Sequence, residues 1–206
     1  MTAIKERPIL FSAPMVRAIL EGRKTVTRRA MKVQPVLTGK LWQVYGAGWS
    51  AGVTSVPVIS GHSLSTKCPY GKPGDRLYVR ETFNRTNPGG AEGVYYYRAD
   101  GEFPNSIGGG KFTDAESWKP SIHMPRAASR ILLEITDVRV ERLQDISRSD
   151  IRAEGLQCPP ELASDDVSPN YRDWYPAAWK KLWNSTGGDW DANPWVWVVE
   201  FKRVQP

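Results

Sequence analysis

The stretch Glu21-Gly22-Arg23-Lys24-Thr25-Val26-Thr27-Arg28-Arg29-Ala30 joins the end of a helix signal to the start of a strand signal. Just upstream, Pro8 to Phe11 reads as a short strand, and Ser12 can cap a helix that tolerates Pro14 in its first turn. Met15, Val16, Ile19 and Leu20 form one apolar stripe, and Gly22 stands where a left-handed C′ residue is expected. The helix therefore stops before Lys24, and residues 25–29, β-branched in part, are extended. Lys24 and Thr27 are three positions apart, so a regular strand would send them to opposite faces. They converge only if Lys24 sits in the turn after Gly22, outside the pleat. A lysine, two hydroxyls and an arginine pair form a cluster of donors and nucleophiles suited to a polar or anionic ligand. Arg23 and Arg28 are expected at the surface.

Working outward, Lys72-Pro73-Gly74-Asp75 is a turn signature, and Leu77, Val79, Glu81 and Phe83 alternate with Arg76, Tyr78, Arg80 and Thr82 as one strand. Val94 to Arg98 is a second, aromatic strand. Ser129 to Val140 is a long strand region with Ile131, Leu133 and Ile135 on one face. Ser147 is an N-cap with Asp150 as the acidic N3 residue, Ile146 and Ile151 make a hydrophobic staple, and the helix ends near Glu154 with Gly155 as C′. Pro176 opens a further helix bearing Trp179, Leu182 and Trp183, which Gly187-Gly188 breaks. Trp195, Trp197, Val199 and Phe201 alternate along a final strand. Residues 34–67, with one hairpin, and the loops 100–118 and 157–173 read as insertions in a single domain spanning 1–206. Strands scattered along the chain with helices at the junctions indicate an α+β fold on a small mixed barrel.

The 206 residues suit one domain, and with 40% apolar residues and 9 tryptophans the chain can bury a core. No apolar run approaches a membrane span and the N-terminal residues lack a signal peptide's apolar region. Two cysteines and two histidines form no metal spacing, so a reduced cytoplasm is expected, with no metal and no cofactor. A net charge of +6 suits phosphorylated or polyanionic partners, or simple solubility.

Gly22, Lys24 and Arg29 have the spacing G-x-K-x-x-x-x-R, which resembles the signature of the ASCH-domain family (activating-signal-cointegrator homology). The resemblance extends, in order, to Pro73 through Glu81, to Ile146 through Gly155 and to Asn193 through Phe201. The chain is similar to the longer ASCH proteins of bacteriophages and prophages. The resemblance implies a PUA-like mixed β-barrel with flanking short helices, and a pocket for a nucleotide, a modified base or RNA. It also implies kinship with small bacterial amidohydrolases that remove the acetyl group from N4-acetylcytidine. Their Lys-x-x-Thr pair falls on Lys24 and Thr27, and their acid on Glu154.

Amide hydrolysis needs a nucleophile, a proton-transfer group and oxyanion stabilisation. Thr27 would supply the hydroxyl. Lys24 would act as base if desolvated, or serve the oxyanion if charged. Glu154, at a helix C-terminus where the macrodipole disfavours a carboxylate, would protonate the leaving amine. Candidate substrate-binding residues are Gly22, Arg23, Arg29, Glu81, His123 and Arg126. Glu81 lies on an apolar strand face, where it either takes hydrogen bonds from a base edge or pairs with an arginine such as Arg130. His123 and Arg126 either line the pocket or pack a loop. Tyr95 to Tyr97 could stack bases, whereas Trp179, Trp183 and Trp197 are expected in the core. Two further readings are a non-catalytic RNA- or modified-base-binding module and a metal-dependent ribonuclease.

Overall fold

The computed structural model describes residues 4–38, 41–43, 55–57, 64–86, 93–101, 106–107, 110–111, 118–160 and 169–205. In chain order the elements are β1 (Glu6–Leu10), α1 (Ala13–Leu20), β2 (Val26–Ala30), β3 (Val36–Thr38), β4 (Leu41–Gln43), β5 (Ser55–Pro57) and β6 (Arg76–Arg80). They continue with β7 (Phe83–Thr86), β8 (Val94–Tyr97), β9 (Ser106–Ile107), β10 (Gly110–Lys111), β11 (Leu132–Arg142), α2 (Arg148–Ala153), α3 (Pro169–Ser185) and β12 (Trp195–Val204). The architecture is α+β.

A five-stranded sheet in the order β1-β6-β11-β12-β2 organises the molecule. β1 runs parallel to β6, and the remaining pairs are antiparallel. Asp75 ties the parallel pair: its carboxylate accepts from Arg7 Nη1 at 2.9 Å and from the backbone N–H groups of Lys5 and Lys72. The sheet does not close into a barrel among the described residues. Its edges β1 and β2 nevertheless approach at one end, where Arg29 Nη2 donates to the Leu10 carbonyl at 2.6 Å.

Both faces of the sheet are covered. One packs Ile9, Phe11, Leu77, Val79, Leu133, Val199 and Phe201 with Val16 and Ile19 of α1. The other packs Val26, Val196 and Val198 with Ile151 of α2 and Tyr175, Trp179 and Trp183 of α3. Strand β12 therefore reads as a nearly continuous apolar run, since both sides of its pleat are buried. Toward the α1 face the buried positions pass from Ile131, just before β11, through Leu133 and Ile135 to Val138 and Val140. The change of parity comes from a register shift between Ile135 and Asp137, which leaves Thr136 as the extra residue.

Several expectations need adjusting. Residues 76–83 are two strands, because the chain leaves the main sheet at Glu81-Thr82 and β7 pairs instead with β8. The face alternation still holds, with Leu77, Val79, Glu81 and Phe83 all buried. The last helix begins at Pro169 and carries Pro176 inside it, so it is longer than the short flanking helix expected and takes up part of the 157–173 loop. Within 34–67 the strands β3, β4 and β5 form a small antiparallel sheet. Gly108 and Gly109, most of the 100–118 loop and residues 161–168 lie outside the described residues. No helix among the described residues is long and apolar enough to cross a membrane.

Candidate functional site

Helix α1 ends as its sequence dictates. Gly22 adopts φ +76°, and the N–H groups of Arg23 and Lys24 both return to the Ala18 carbonyl at 2.8 and 3.0 Å. Lys24 is thus held in the turn, and β2 begins only at Val26. Its backbone pairs with Glu154 through an isolated antiparallel bridge. On the other side Ser147 caps α2 by accepting from Asp150 N, Glu154 is the C-cap, and Gly155 continues the chain at φ +94°. A Cβ on Gly155 would stand 2.8 Å from Ala18 Cβ and 3.1 Å from Lys24 Cβ. Glycine here lets the ends of α1 and α2 close on each other and brings Lys24 against Glu154.

Lys24 Nζ donates to Glu154 Oε2 at 2.5 Å, to the Glu154 carbonyl at 3.0 Å and to the Val26 carbonyl at 2.8 Å. All three ammonium donors are therefore used, one of them on a carbonyl at the negative end of α2. Lys24 and Glu154 are each 3% exposed. Burial lowers the Lys24 pKa from its usual value; Glu154 opposes that change, while Arg29 and Arg28 add to it.

Thr27, 3% exposed, lies on β2 opposite Val199. Thr27, Lys24 and Glu154 line one cavity of about 130 Å³. The cavity occupies the gap between the sheet's two edges. Leu10, Phe11, Ser12 and Met15 wall it from the β1–α1 side, Arg28 and Arg29 from β2, and Trp179, Leu182, Trp183 and Thr186 from α3 and its end. Phe11 carries two cations, with Lys24 Nζ 5.5 Å and Arg29 Cζ 5.2 Å from its ring centroid. Ser12 has the N-cap position of α1, but its side chain makes no cap bond.

Several residues that line the cavity carry buried polar atoms that make no hydrogen bond. Arg28 Nε and Nη1, Arg29 Nε, Glu154 Oε1 and the indole nitrogens of Trp179 and Trp183 are buried and make no hydrogen bond. Of these atoms, Arg28 Nη1 and Glu154 Oε1 stand 3.5 Å apart as an ion pair. The expectation that Arg28 is exposed fails, because its side chain has no accessible surface. It pairs with Asp150 and with Glu141 at 3.0 Å, carboxylates that Arg139 also engages.

The other sequence candidates divide. Arg29 lines the cavity, whereas Gly22 and Arg23 build the turn beside it. Arg23 donates to the Gly155 carbonyl at 2.7 Å and to Glu21. Glu81 is spent elsewhere, in a two-bond pair with Arg130 at 3.0 and 3.1 Å, and burial raises its pKa. His123 is exposed in the turn Ser121–His123. Arg126 bonds Glu6 at 2.9 Å and stacks on Tyr78. Neither residue lines the cavity, and among the described residues no group of three His, Cys, Asp or Glu stands together to hold a metal. The tryptophans expected in the core are buried, but Trp179 and Trp183 are also cavity wall. Their role and that of Arg28 leave no periodic signal, since a buried arginine on a two-sided strand looks like any surface arginine in sequence. Compared with protein-family models, with curated proteins and with solved structures, the chain matches none.

Proposed function

We propose that this is an ASCH-type protein with an opened PUA-like sheet, which removes the acyl group from N4-acetylcytidine or a related modified nucleoside. The observation that carries this reading is the meeting of Lys24, Thr27 and Glu154 at one cavity. These are the three residues that the sequence resemblance selects for that chemistry. The cavity, about 130 Å³, is smaller than a site for a whole drug-sized ligand. It suits a base edge and its acyl group, with the ribose left at the mouth.

Burial favours the uncharged form of Lys24, the form that can accept a proton. In the reaction Thr27 Oγ attacks the acyl carbon and its proton passes to the Lys24 amine. The carbon–N4 bond breaks, Lys24 passes the proton it has taken through Glu154 Oε2 to N4, and the nucleoside leaves an acyl ester on Thr27. Water then attacks the ester and gives one proton to Glu154. Glu154 returns that proton through Lys24 to Thr27 Oγ, and the carboxylic acid departs. Arg29, which lines the cavity, is the cation assigned to the oxyanion in this reading.

A second reading, a non-catalytic pocket for a modified base or RNA, draws on a different observation. The three Lys24 donors are already satisfied, as in a structural clamp. Release of deacylated nucleoside from N4-acetylcytidine separates the two. The enzyme requires turnover that is lost in Lys24→Ala, Thr27→Ala and Glu154→Gln; binding without turnover, unchanged in Glu154→Gln, establishes the module.

A further inference from the structure

The two carboxylate oxygens of Glu154 face different cations. Oε2 accepts from Lys24 Nζ at 2.5 Å, while Oε1 is buried without a hydrogen bond, 3.5 Å from Arg28 Nη1 as an ion pair. The Arg28 side chain has no accessible surface, and a charge so placed persists only where it is paired. Its Nη2 is held by Asp150 and, at 3.0 Å, by Glu141. Arg139 grips both carboxylates, at 2.9 and 2.5 Å, and also reaches the half-exposed Glu200. Charges of alternating sign thus run from Glu200 on β12 through Arg139 and Glu141 on β11, Asp150 and Arg28 to Glu154 and Lys24. Asp150 stands in the first turn of α2 and Glu154 is its C-cap, so the same network fixes both ends of that helix. Neither Arg28 nor Arg139 takes part in the proton transfers of the hydrolase reading.

We infer that Arg28 is a positioning residue for the proton relay: by holding Glu154 Oε1, it leaves Oε2 to carry the proton between Lys24 and the leaving N4. The inference rests on the hydrolase reading and adds the residue that orients its acid. A carboxylate free to turn would offer either oxygen to Lys24. A proton taken on Oε1 would be trapped, because that oxygen is sealed inside the protein. Arg28 prevents this from behind, without touching the ligand. Its charge also bears on Lys24. The charged groups that face the ammonium are Glu154 from α2 and Arg28 and Arg29 from β2, whereas the cavity residues of α1 and α3 are uncharged. Burial lowers the Lys24 pKa and Arg28 adds to that effect, so removing the Arg28 charge should raise it.

The test measures kcat and KM for N4-acetylcytidine across pH on the wild-type chain, Arg28→Gln and Arg28→Lys. The Lys24 side-chain titration is followed by NMR, with Lys24→Met as the assignment control. In Arg28→Gln, kcat should fall by roughly a hundredfold, the cost of a small misplacement, with KM unchanged because Arg28 does not reach the ligand. The limb of kcat that rises with pH should move to higher pH, and the Lys24 titration with it. Arg28→Lys keeps the charge, but a single ammonium cannot hold Oε1 together with Asp150 and Glu141. Its kcat should therefore fall with the limb in place. A raised KM at unchanged kcat overturns the inference while leaving the hydrolase reading in place. So does a lower kcat in Arg28→Gln with the limb and the Lys24 titration unmoved, the mark of a purely structural role. If the wild type does not turn over N4-acetylcytidine, the hydrolase reading and the relay fall together. If Arg28→Gln does not fold, Arg28→Lys decides alone, and a wild-type kcat there overturns the inference.

Discussion

Lys24 Nζ and Glu154 Oε2 meet at 2.5 Å although the two residues are separated by 130 positions, and each is almost wholly buried. The contact exists because two helix ends, each terminated by a left-handed glycine, abut at Ala18, Lys24 and Gly155. Its neighbours are the cavity, Arg28 and the carbonyls of Val26 and Glu154.

Breaking this pair from one side should be expensive. Lys24→Met leaves a buried carboxylate without its partner, and urea denaturation should show a loss of about 3–5 kcal/mol. Lys24→Met combined with Glu154→Leu should recover most of that loss, because no charge is left stranded. A double variant no more stable than Lys24→Met would mean that the pair itself, rather than the stranded charge, supplies the stability.

Thr27→Val separates chemistry from folding. Valine keeps the β-branching that suits β2, so stability should change by about 1 kcal/mol or less, read from thermal unfolding. Deacylation of N4-acetylcytidine should nevertheless disappear, and Thr27→Ser should retain it. Substantial turnover by Thr27→Val would remove the nucleophile assignment.

Gly155→Ala tests the junction without touching a polar group. The added methyl meets Ala18 and Lys24, and the backbone sits at φ +94°. The variant should lose about 2 kcal/mol or more. Because Lys24 must shift, activity should fall more than Gly22→Ala lowers it, since a Cβ on Gly22 meets nothing within 4 Å. Equal effects of the two substitutions would show that only backbone strain matters.

Asp75 gives a pH signature. Burial opposes its ionisation, but the Arg7 hydrogen bond and the backbone donors of Lys5 and Lys72 win, so its pKa lies below the usual 3.8. A carboxylate with a depressed folded-state pKa stabilises fully above its unfolded value and loses that contribution as pH falls through the folded value. The stability gap between wild type and Asp75→Asn should therefore be constant near neutrality and shrink below about pH 3.8. A gap that widens on acidification would reverse the assignment.

Gly188→Ala probes the α3 wall. A Cβ there would stand 2.3 Å from Trp183 Nε1, so the indole must move. The tryptophan fluorescence should change, and nucleoside affinity should drop. An unchanged affinity with a shifted spectrum would exclude Trp183 from the binding surface.

Local signals carried much of this fold. The Gly22 stop, the Ser147 cap, the Gly155 terminus and the alternation from Leu77 to Phe83 are set by φ preferences and side-chain period, which operate within a few residues. The break at Glu81-Thr82 and the start of α3 at Pro169 were not legible. The first depends on which strand offers a partner, and the second runs against the helix-opening character of Pro176. Of the residues selected from one motif and its distant counterpart, Lys24, Thr27, Arg29 and Glu154 line the cavity, whereas Glu81 goes to Arg130 and Arg126 to Glu6.

By itself, then, the sequence determined where the helices stop, which positions face inward and which lysine stands outside the pleat. Those are consequences of backbone geometry and hydrophobic period. Only the tertiary structure decided that among the described residues the sheet stays open between β1 and β2, that α3 walls the gap, and that Arg28 is buried against Glu141, Asp150 and Glu154. An arginine's environment is made by elements more than a hundred residues away, and no local pattern in the chain encodes it.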